Sequence, residues 1–214
     1  MMWPPHRTPF FLPWLYPSLT WRMPHQHRTL YLTFDDGPVP GPTEFVLQTL
    51  QSFSVKATFF CIGDNVKKHP EVMHKILQDG HTVGNHTFNH LNGWKSDHQR
   101  YANNVEQCKV EIARSGFLRQ DTAPLFRPPY GRITRKQIQH LSGYSIIMWD
   151  VLSFDFLQRL SPEKCLRGTI QATRPGSIVV FHDSVKAEKN LYYALPRYIE
   201  YFLSKGFSFD TIPS

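Results

Sequence analysis

Seven short runs of apolar and β-forming residues recur along the chain, and segments with helical periodicity separate them. The runs lie at 30–34, 57–62, 81–84, 125–127, 145–149, 177–181 and 207–211. They are apolar throughout rather than alternating, which is typical of strands that are covered on both faces. Because strands that alternate with helices pair in parallel through crossover connections, the pattern predicts an α/β fold.

Polar motifs at the strand ends favour a barrel over an open sheet. Polar motifs follow the ends of at least five of the runs. In a barrel the C-terminal ends of the strands meet at one face, and the active site lies there. We therefore expect a distorted (β/α)7-type barrel of parallel strands with its active site at the C-terminal face, although periodicity alone does not separate the two arrangements.

The composition excludes several classes of protein. Hydrophobic residues make up 41% of the 214 residues, too many for a disordered chain. The net charge is +7, but the chain has no run of about five like charges and no nucleic-acid-binding motif, so we expect no nucleic-acid partner. No apolar run reaches about 18 residues, so no transmembrane helix is predicted. The cysteines lack the spacing of a disulfide framework or a thiolate zinc site, and we expect reduced, buried thiols at Cys61, Cys108 and Cys165.

Residues 1–28 form an extension ahead of the regular pattern. Their apolar stretch, 10–16, is broken by prolines and is not followed by a small-residue cleavage site, so no convincing signal peptide is present. On that ground the sequence favours a cytoplasmic location, although an enzyme of the cell wall would require export. We expect a short helix packed on the domain, and contact with a membrane surface is the alternative. The tryptophans expected to supply the contact area are Trp3, Trp14 and Trp21.

Two motifs are typical of a metal site. Asp35 and Asp36 end the first strand at a Gly-Pro turn, where both carboxylates can face one pocket, and such a pair requires a neutralising cation. His86 and His90 have the i, i+4 spacing that places two imidazoles on one face of a helical turn, and either aspartate can supply a third ligand. Taken singly, the same motifs also suit a solvated turn and two surface histidines.

Two further motifs suit acid–base chemistry. Arg127 begins an Arg-Pro-Pro-Tyr-Gly turn, in which the guanidinium can orient a carboxylate base and the Tyr130 or Gly131 backbone N–H can face a developing oxyanion. His182 follows an apolar strand directly, so it is expected at the active-site face, where it can act as a general acid. A rigid loop and a capping His-Asp pair are the structural alternatives.

Taken together, five segments resemble, in order, the motifs of the polysaccharide deacetylases with a NodB homology domain, carbohydrate esterase family 4. The segments are LTFDDGP at 32–38, HTFNH at 86–90, RPPYG at 127–131, WDVLSFDF at 149–156 and IVVFHD at 178–183. The resemblance covers 29–214, which is therefore interpreted as one deacetylase domain. Each motif is modest by itself, but five in the expected order are highly specific.

The resemblance implies a role for each matching residue. Asp36, His86 and His90 would bind a divalent metal ion, which is usually Zn²⁺ in this family, with Co²⁺, Mn²⁺ and Ni²⁺ as alternatives. Asp35 would be the general base, oriented by the Arg127 cation, and His182 would be the general acid. The Tyr130 N–H would donate to the oxyanion. Asp155 would be a partner of either His182 or Arg127, and Val180 would be an apolar contact for the acetyl methyl.

The implied activity is removal of N-acetyl groups from an N-acetylhexosamine-containing glycan, such as a chitin-like oligomer or peptidoglycan. Acetate would leave after attack by a metal-activated water. Phe156 stands where the family often has tryptophan, which places substrate preference in question more than activity. Trp94 lies near the second histidine and is a candidate for stacking on a sugar ring, or a packed loop anchor. The alternatives are the same chemistry on a cyclic imide or an O-acetylated glycan, and a catalytically silent glycan-binding module.

Overall fold

The computed structural model describes residues 5–24, 27–116 and 123–213. The strands in this part of the chain are β1 Thr29–Asp35, β2 Thr58–Cys61, β3 Thr82–Asn85, β4 Leu125–Phe126, β5 Ser145–Ile146, β6 Val151–Leu152, β7 Ile178–His182 and β8 Ser208–Phe209. The helices are α1 Phe11–Leu15, α2 Pro42–Ser52, α3 Gly63–Lys68, α4 Pro70–Gln78, α5 His98–Arg114, α6 Arg135–His140, α7 Pro162–Ala172 and α8 Glu188–Ser204.

Seven parallel strands form a curled half-barrel, which confirms the predicted fold. Their order is β5-β4-β3-β2-β1-β7-β6, and β8 pairs with the start of β1. β5 and β6 therefore lie at opposite edges, although only residues 147–150 separate them in the sequence. β6 was not expected as a strand, because it holds two residues and no helix precedes it.

The local signals explain where several helices begin. The side chain of Thr134 accepts a hydrogen bond from the Gln137 N–H, and the side-chain oxygen of Gln137 accepts one from the Thr134 N–H, which forms a capping box at α6. Ser161 caps α7 as its Ser-Pro-Glu sequence predicts. Pro196 neither starts nor ends a helix, because α8 continues through it.

The central strands lie between two layers of apolar residues, as solid apolar runs require. Leu30, Leu32 and Phe34 of β1 are fully buried, and helices α2 and α8 contribute to the same core cluster. All three cysteines are buried and free, as predicted; they are Cys61, Cys108 and Cys165. This core fixes the strand ends, and therefore the side chains that follow them, in a defined arrangement.

The N-terminal extension contacts the domain through its backbone and through α1. Arg7 and Thr20 form isolated bridges to Val151 and Ile147, beside the segment that links the two edge strands. Helix α1 packs on the domain through Leu12, as expected: this side chain is partly buried against the core cluster that contains Trp21, although no residue of α1 is fully buried. Trp21 is buried but Trp14 is 80% exposed, and Trp3 lies outside the described residues. None of the helices in the described part of the chain has the length and apolar content that crossing a bilayer requires.

Candidate active site

A cavity of about 490 Å³ lies at the C-terminal ends of the strands. It brings together side chains that come from all five sequence motifs and from the loop that follows the fifth. The residues that line it are Asp35, Asp36, His86, His90, Tyr130, Trp149, Leu152, Phe156, His182, Ser184 and Lys186. The position agrees with the expectation for parallel α/β folds, in which the C-terminal strand ends carry the chemistry.

The loop after β3 presents both histidines of the HTFNH motif to Asp36. His86 Nε2 lies 3.8 Å and His90 Nε2 lies 3.3 Å from Asp36 Oδ1. The loop is not the helical turn that the spacing predicted, because Thr87 and His90 are left-handed, with φ of 65° and 57°. The Thr87 hydroxyl accepts a hydrogen bond from the Leu91 N–H at 2.9 Å and holds this conformation. The two imidazoles still converge, although by a different local geometry.

These three side chains fit the requirements of a divalent metal ion. One ligand atom from each lies within 4.8 Å of the others. Asp36 Oδ1 is buried without a hydrogen-bond partner among the described residues, which is costly unless a cation compensates it. His86 Nδ1 donates to the Arg127 carbonyl at 2.8 Å, which leaves Nε2 free to bind a metal. Burial and the neighbouring His86 lower the pKa of His90 to about 4, so its imidazole is neutral, as ligation requires.

Asp35 forms a fully buried ion pair with Arg127. Arg127 Nη1 donates to Asp35 Oδ1 at 2.7 Å and to the Thr33 hydroxyl at 2.7 Å. The remaining donors reach the carbonyls of Ile147 at 3.2 Å and Met148 at 2.9 Å. Burial raises the pKa of Asp35, but the Arg127 guanidinium together with His86 and His182 outweighs it, so that the net pKa lies below its ordinary value. The carboxylate is thus held ionised and oriented at the cavity wall.

His182 forms a second buried pair, with Asp155. Its Nδ1 donates to Asp155 Oδ1 at 2.8 Å, and its backbone N–H donates to the other carboxylate oxygen at 2.8 Å. The sequence left open whether Asp155 serves the histidine or the arginine, and the structure assigns it to the histidine. Burial lowers the pKa of His182, but Asp155, with smaller contributions from Asp36 and Asp35, outweighs it and raises the pKa to about 9. The imidazole is therefore protonated at neutral pH. Phe156 packs edge-on against it, with ring centres 4.8 Å apart.

Asp183 holds the turn that carries both aspartates, a role that the sequence analysis missed. Its carboxylate accepts hydrogen bonds from the Gly37 N–H at 2.9 Å and from the Thr43 hydroxyl at 2.7 Å. A Cβ atom at Gly37 would lie 1.9 Å from Asp183 Oδ2, so only glycine fits there. Asp36 itself is left-handed, with φ of 84°. The one sequence signal for this contact is that Asp183 directly follows the strand-end histidine.

Other candidate residues lie at different distances from the cavity. Tyr130 is 58% exposed, and its hydroxyl forms a hydrogen bond with His90 Nδ1 at 3.0 Å. Val180 is fully buried and does not line the cavity. The expected contact of Val180 with an acetyl group is therefore corrected: its neighbour in the β6–β7 pairing, Leu152, supplies the apolar wall instead. Trp94 is 65% exposed and also lies outside the cavity lining.

The sequence analysis did not single out four residues of the cavity lining as site residues. Trp149 and Leu152 border the open edge of the half-barrel, while Ser184 and Lys186 follow the catalytic-histidine strand. Lys186 Nζ lies 5.6 Å from the centre of the Phe156 ring. Trp149 and Leu152 belong to the fourth motif, at 149–156, whereas Ser184 and Lys186 lie outside the motifs and only the fold shows that they line the cavity.

A parallel half-barrel that holds two buried acid–base pairs and an Asp-His-His cluster at its C-terminal face has the architecture of a carbohydrate-active hydrolase. The family model for polysaccharide deacetylases matches residues 22–147. The chain therefore belongs to the polysaccharide deacetylase family, carbohydrate esterase family 4, as the five motifs predicted.

Known proteins agree with this assignment. A peptidoglycan-N-acetylglucosamine deacetylase of Bacillus cereus is 32% identical over 196 residues, covering 89% of this chain and 69% of the relative. A chitooligosaccharide deacetylase of Azorhizobium caulinodans is 32% identical over 169 residues, covering 76% and 77%. The crystal structure of the Bc1960 peptidoglycan N-acetylglucosamine deacetylase matches with a TM-score of 0.86 and 30% identity, covering 96% of this chain and 95% of that one.

Proposed function

We propose that this chain removes N-acetyl groups from an N-acetylhexosamine-containing glycan, either a chitin-like oligomer or peptidoglycan, with Zn²⁺ as its metal ion. The observation that carries the proposal is one cavity in which an ionised aspartate and a protonated histidine, each with its own buried partner, flank a three-residue metal cluster. The names of the bacterial relatives support the two substrate classes.

The cluster of Asp36, His86 and His90 would hold the metal ion. Two imidazoles and one carboxylate are a common ligand set of catalytic zinc sites, which keep a position open for substrate or water. A divalent ion bound there would act as a Lewis acid towards the acetamide carbonyl and the attacking water. The unpartnered carboxylate oxygen of Asp36 and the free Nε2 of His86 are the features that support this assignment.

Asp35 would act as the general base. Arg127 keeps its carboxylate ionised, so it can accept a proton from water as the water attacks the carbonyl carbon. The Tyr130 N–H would donate to the oxyanion that develops, as the left-handed backbone of this residue sets its orientation. The guanidinium has no role in proton transfer, because an arginine does not titrate in this range.

His182 would act as the general acid. Asp155 keeps its imidazole protonated near neutral pH, so it can donate a proton to the amide nitrogen as the carbon–nitrogen bond breaks. One water is consumed, and the products are acetate and a glycan with a free amine. Asp155 holds the ring in place through the Nδ1–H, which directs Nε2 towards the cavity.

The test is chelator-sensitive release of acetate by the purified chain. The substrates would be chitin oligomers, peptidoglycan, acetylxylan and a cyclic imide, each with chelator and with zinc restored. We expect release from an N-acetylated glycan that chelator abolishes and zinc restores. Turnover of only the acetylxylan or the imide would leave the same groups acting on a different substrate. No turnover by metal-loaded protein on any of them would contradict the proposal and favour a silent binding module.

Variants separate the roles of the residues. His86→Ala should lose both zinc binding and turnover, whereas Asp35→Asn should retain zinc and lose turnover by about 10²-fold or more. His74→Ala and Asp210→Asn are matched controls, because both side chains are exposed and lie outside the cavity lining. Full activity in Asp35→Asn would show that this carboxylate is not the base.

Trp94 remains a candidate for contact with a sugar beyond the cavity. Its indole N–H donates to the Ile133 carbonyl at 3.3 Å, and the Arg132 guanidinium lies 5.1 Å from its ring centre. The same guanidinium lies 5.8 Å from the ring of Tyr130, which borders the cavity. Trp94→Ala should raise KM for long oligomers more than for short ones, and an equal effect on both would argue against stacking.

A further inference from the structure

The N-terminal extension presents a cluster of large apolar side chains to solvent. Phe10 is 91% exposed, Trp14 80%, Leu15 50% and Phe11 47%. We call these four residues the aromatic tip. Single exposed apolar residues are ordinary on protein surfaces, but a contiguous group of this size marks an interaction site.

The aromatic tip is held on the domain at both ends. On the N-terminal side, the Thr8 N–H donates to the Asp150 carbonyl at 2.8 Å, and the Thr8 hydroxyl donates to the Trp149 carbonyl at 2.7 Å. On the C-terminal side, the Thr20 N–H donates to the Ile146 carbonyl at 2.9 Å. The chain therefore orders this segment without burying its largest side chains, which is unfavourable unless something else covers them.

The charge around the aromatic tip is positive. The first acidic residue of the sequence is Asp35, and the extension that carries the aromatic tip contains Arg7 and Arg22. Arg22 and Arg174 line a cavity of about 570 Å³ whose apolar walls include Phe10 and Pro13. One carboxylate, Asp150, also borders this cavity, and it forms a two-pronged ion pair with Arg174. The cavity thus combines apolar walls with an excess of positive charge.

We propose that the aromatic tip inserts into the interfacial region of an anionic lipid bilayer. Tryptophan and phenylalanine beside arginine are the residues that bind membrane interfaces, where apolar area and attraction to anionic headgroups act together. A second copy of this chain carries the same net charge of +7, and a neutral glycan is not attracted by a positively charged surface. An anionic lipid surface satisfies both the apolar and the charged part of the site.

Docking there would place the active site near the bilayer. A second cavity beneath the extension is lined by Pro9 and Leu12 of the extension together with Tyr130, Trp149 and Leu152. The last three residues also line the catalytic cavity. The extension and the catalytic cavity therefore share a wall, and a membrane bound at the aromatic tip would keep the enzyme on polymer close to the lipid surface. The lipid proposal itself is independent of the substrate.

The test is co-sedimentation of the full chain with vesicles. One set contains phosphatidylcholine alone, and the other contains equal parts of phosphatidylcholine and phosphatidylglycerol. We expect binding to the anionic vesicles that weakens at high salt. The double variant Phe10→Ser and Trp14→Ser should bind about tenfold or more weakly, because two large apolar side chains no longer enter the interface. Trp94→Ser is the matched control, since this tryptophan is also exposed but lies outside the tip.

Three results would overturn the proposal. The first is no binding to the anionic vesicles, and the second is equal binding by the wild type and the double variant. The third is that the wild type forms a dimer or is retained on insoluble chitin, that the double variant does neither, and that neither protein binds vesicles. The aromatic tip would then contact a second copy or a glycan. Release of acetate from a soluble oligomer should be unchanged in the double variant. Vesicle binding therefore tests the lipid proposal, and acetate release tests the proposed deacetylase activity, independently of each other.

Discussion

Replacing Arg127 with methionine removes the cation of a fully buried ion pair, and its effect can be estimated from the structure. Loss of one partner from such a pair costs about 3–5 kcal/mol, because a charged Asp35 is left in the interior. The carbonyls of Ile147 and Met148 also lose their donors, at about 1–3 kcal/mol each. Because neighbouring terms are not additive, we expect the free energy of unfolding to fall by about 4–6 kcal/mol.

A double variant separates the charge from the remaining contacts. Asp35→Asn combined with Arg127→Met leaves no buried charge at this position, so it should recover about 2–3 kcal/mol relative to Arg127→Met alone. Arg127→Lys keeps the positive charge but loses the planar fork, and should fall between the single variant and the wild type. Arg114→Met is the matched control, because Arg114 forms an ion pair with Glu111 while it is 68% exposed; we expect a loss of at most about 1 kcal/mol.

The pH dependence gives an independent reading. In the wild type the pKa of Asp35 is lowered, so the stabilisation by this carboxylate is present above its unfolded pKa and is lost as the pH falls through the folded value. Without Arg127, burial dominates and raises the pKa of Asp35. The deficit of Arg127→Met should therefore shrink as the pH is lowered.

Urea denaturation of the metal-free proteins measures these free energies. Two results would refute the reasoning: a loss for Arg127→Met no larger than that for Arg114→Met, or a double variant no more stable than Arg127→Met. Either would show that the buried carboxylate does not depend on this guanidinium.

Three more predictions follow from the geometry. kcat/KM should fall above about pH 9, where His182 loses its proton. Asp155→Asn should move this alkaline limb of the pH profile to lower pH. If the limb does not move, Asp155 does not set the pKa of His182. Gly37→Ala should lower the free energy of unfolding by about 1–3 kcal/mol, because the new Cβ collides with Asp183. Gly143→Ala should change it little, because the space around that position is open. Denaturation curves compare the two variants, and equal losses would contradict the close contact at Gly37. Zinc should raise the midpoint of thermal unfolding and chelator should reverse this, whereas a midpoint insensitive to zinc would argue against a metal site in the folded state.

Most of the candidate active site could be predicted from the sequence, because each group lies at the end of a strand. Asp35, His182 and Arg127 follow apolar runs that can only be buried strands, and the C-terminal ends of parallel strands must meet at one face. The identities of these residues then limit the chemistry to proton transfer and cation binding. Asp35 and His182 line one cavity, and Arg127 lies fully buried behind it as the ion-pair partner of Asp35, which agrees with the argument from strand ends.

The contacts between motifs could not be predicted in the same way. Asp155 had two candidate partners, and its choice of His182 depends on how the loop after β6 lies against β7. Val180 and Leu152 are both apolar residues near strand ends and are paired in the register of β6 against β7, and only the tertiary structure shows that Leu152 borders the cavity while Val180 is fully buried. Sequence spacing contains no information on that register, because the two strands are far apart in the chain.

The order of strands and helices, the strand-end position of the catalytic groups and the caps of several helices follow from the sequence alone. These features depend on periodicity, on proline and glycine, and on capping side chains, which act over a few residues. The tertiary structure alone determined the left-handed loop that joins His86 to His90, the open edge between β5 and β6, and the exposure of Trp14. Each of these depends on hydrogen bonds and packing between segments distant in the chain, and their free energies have no counterpart in local sequence.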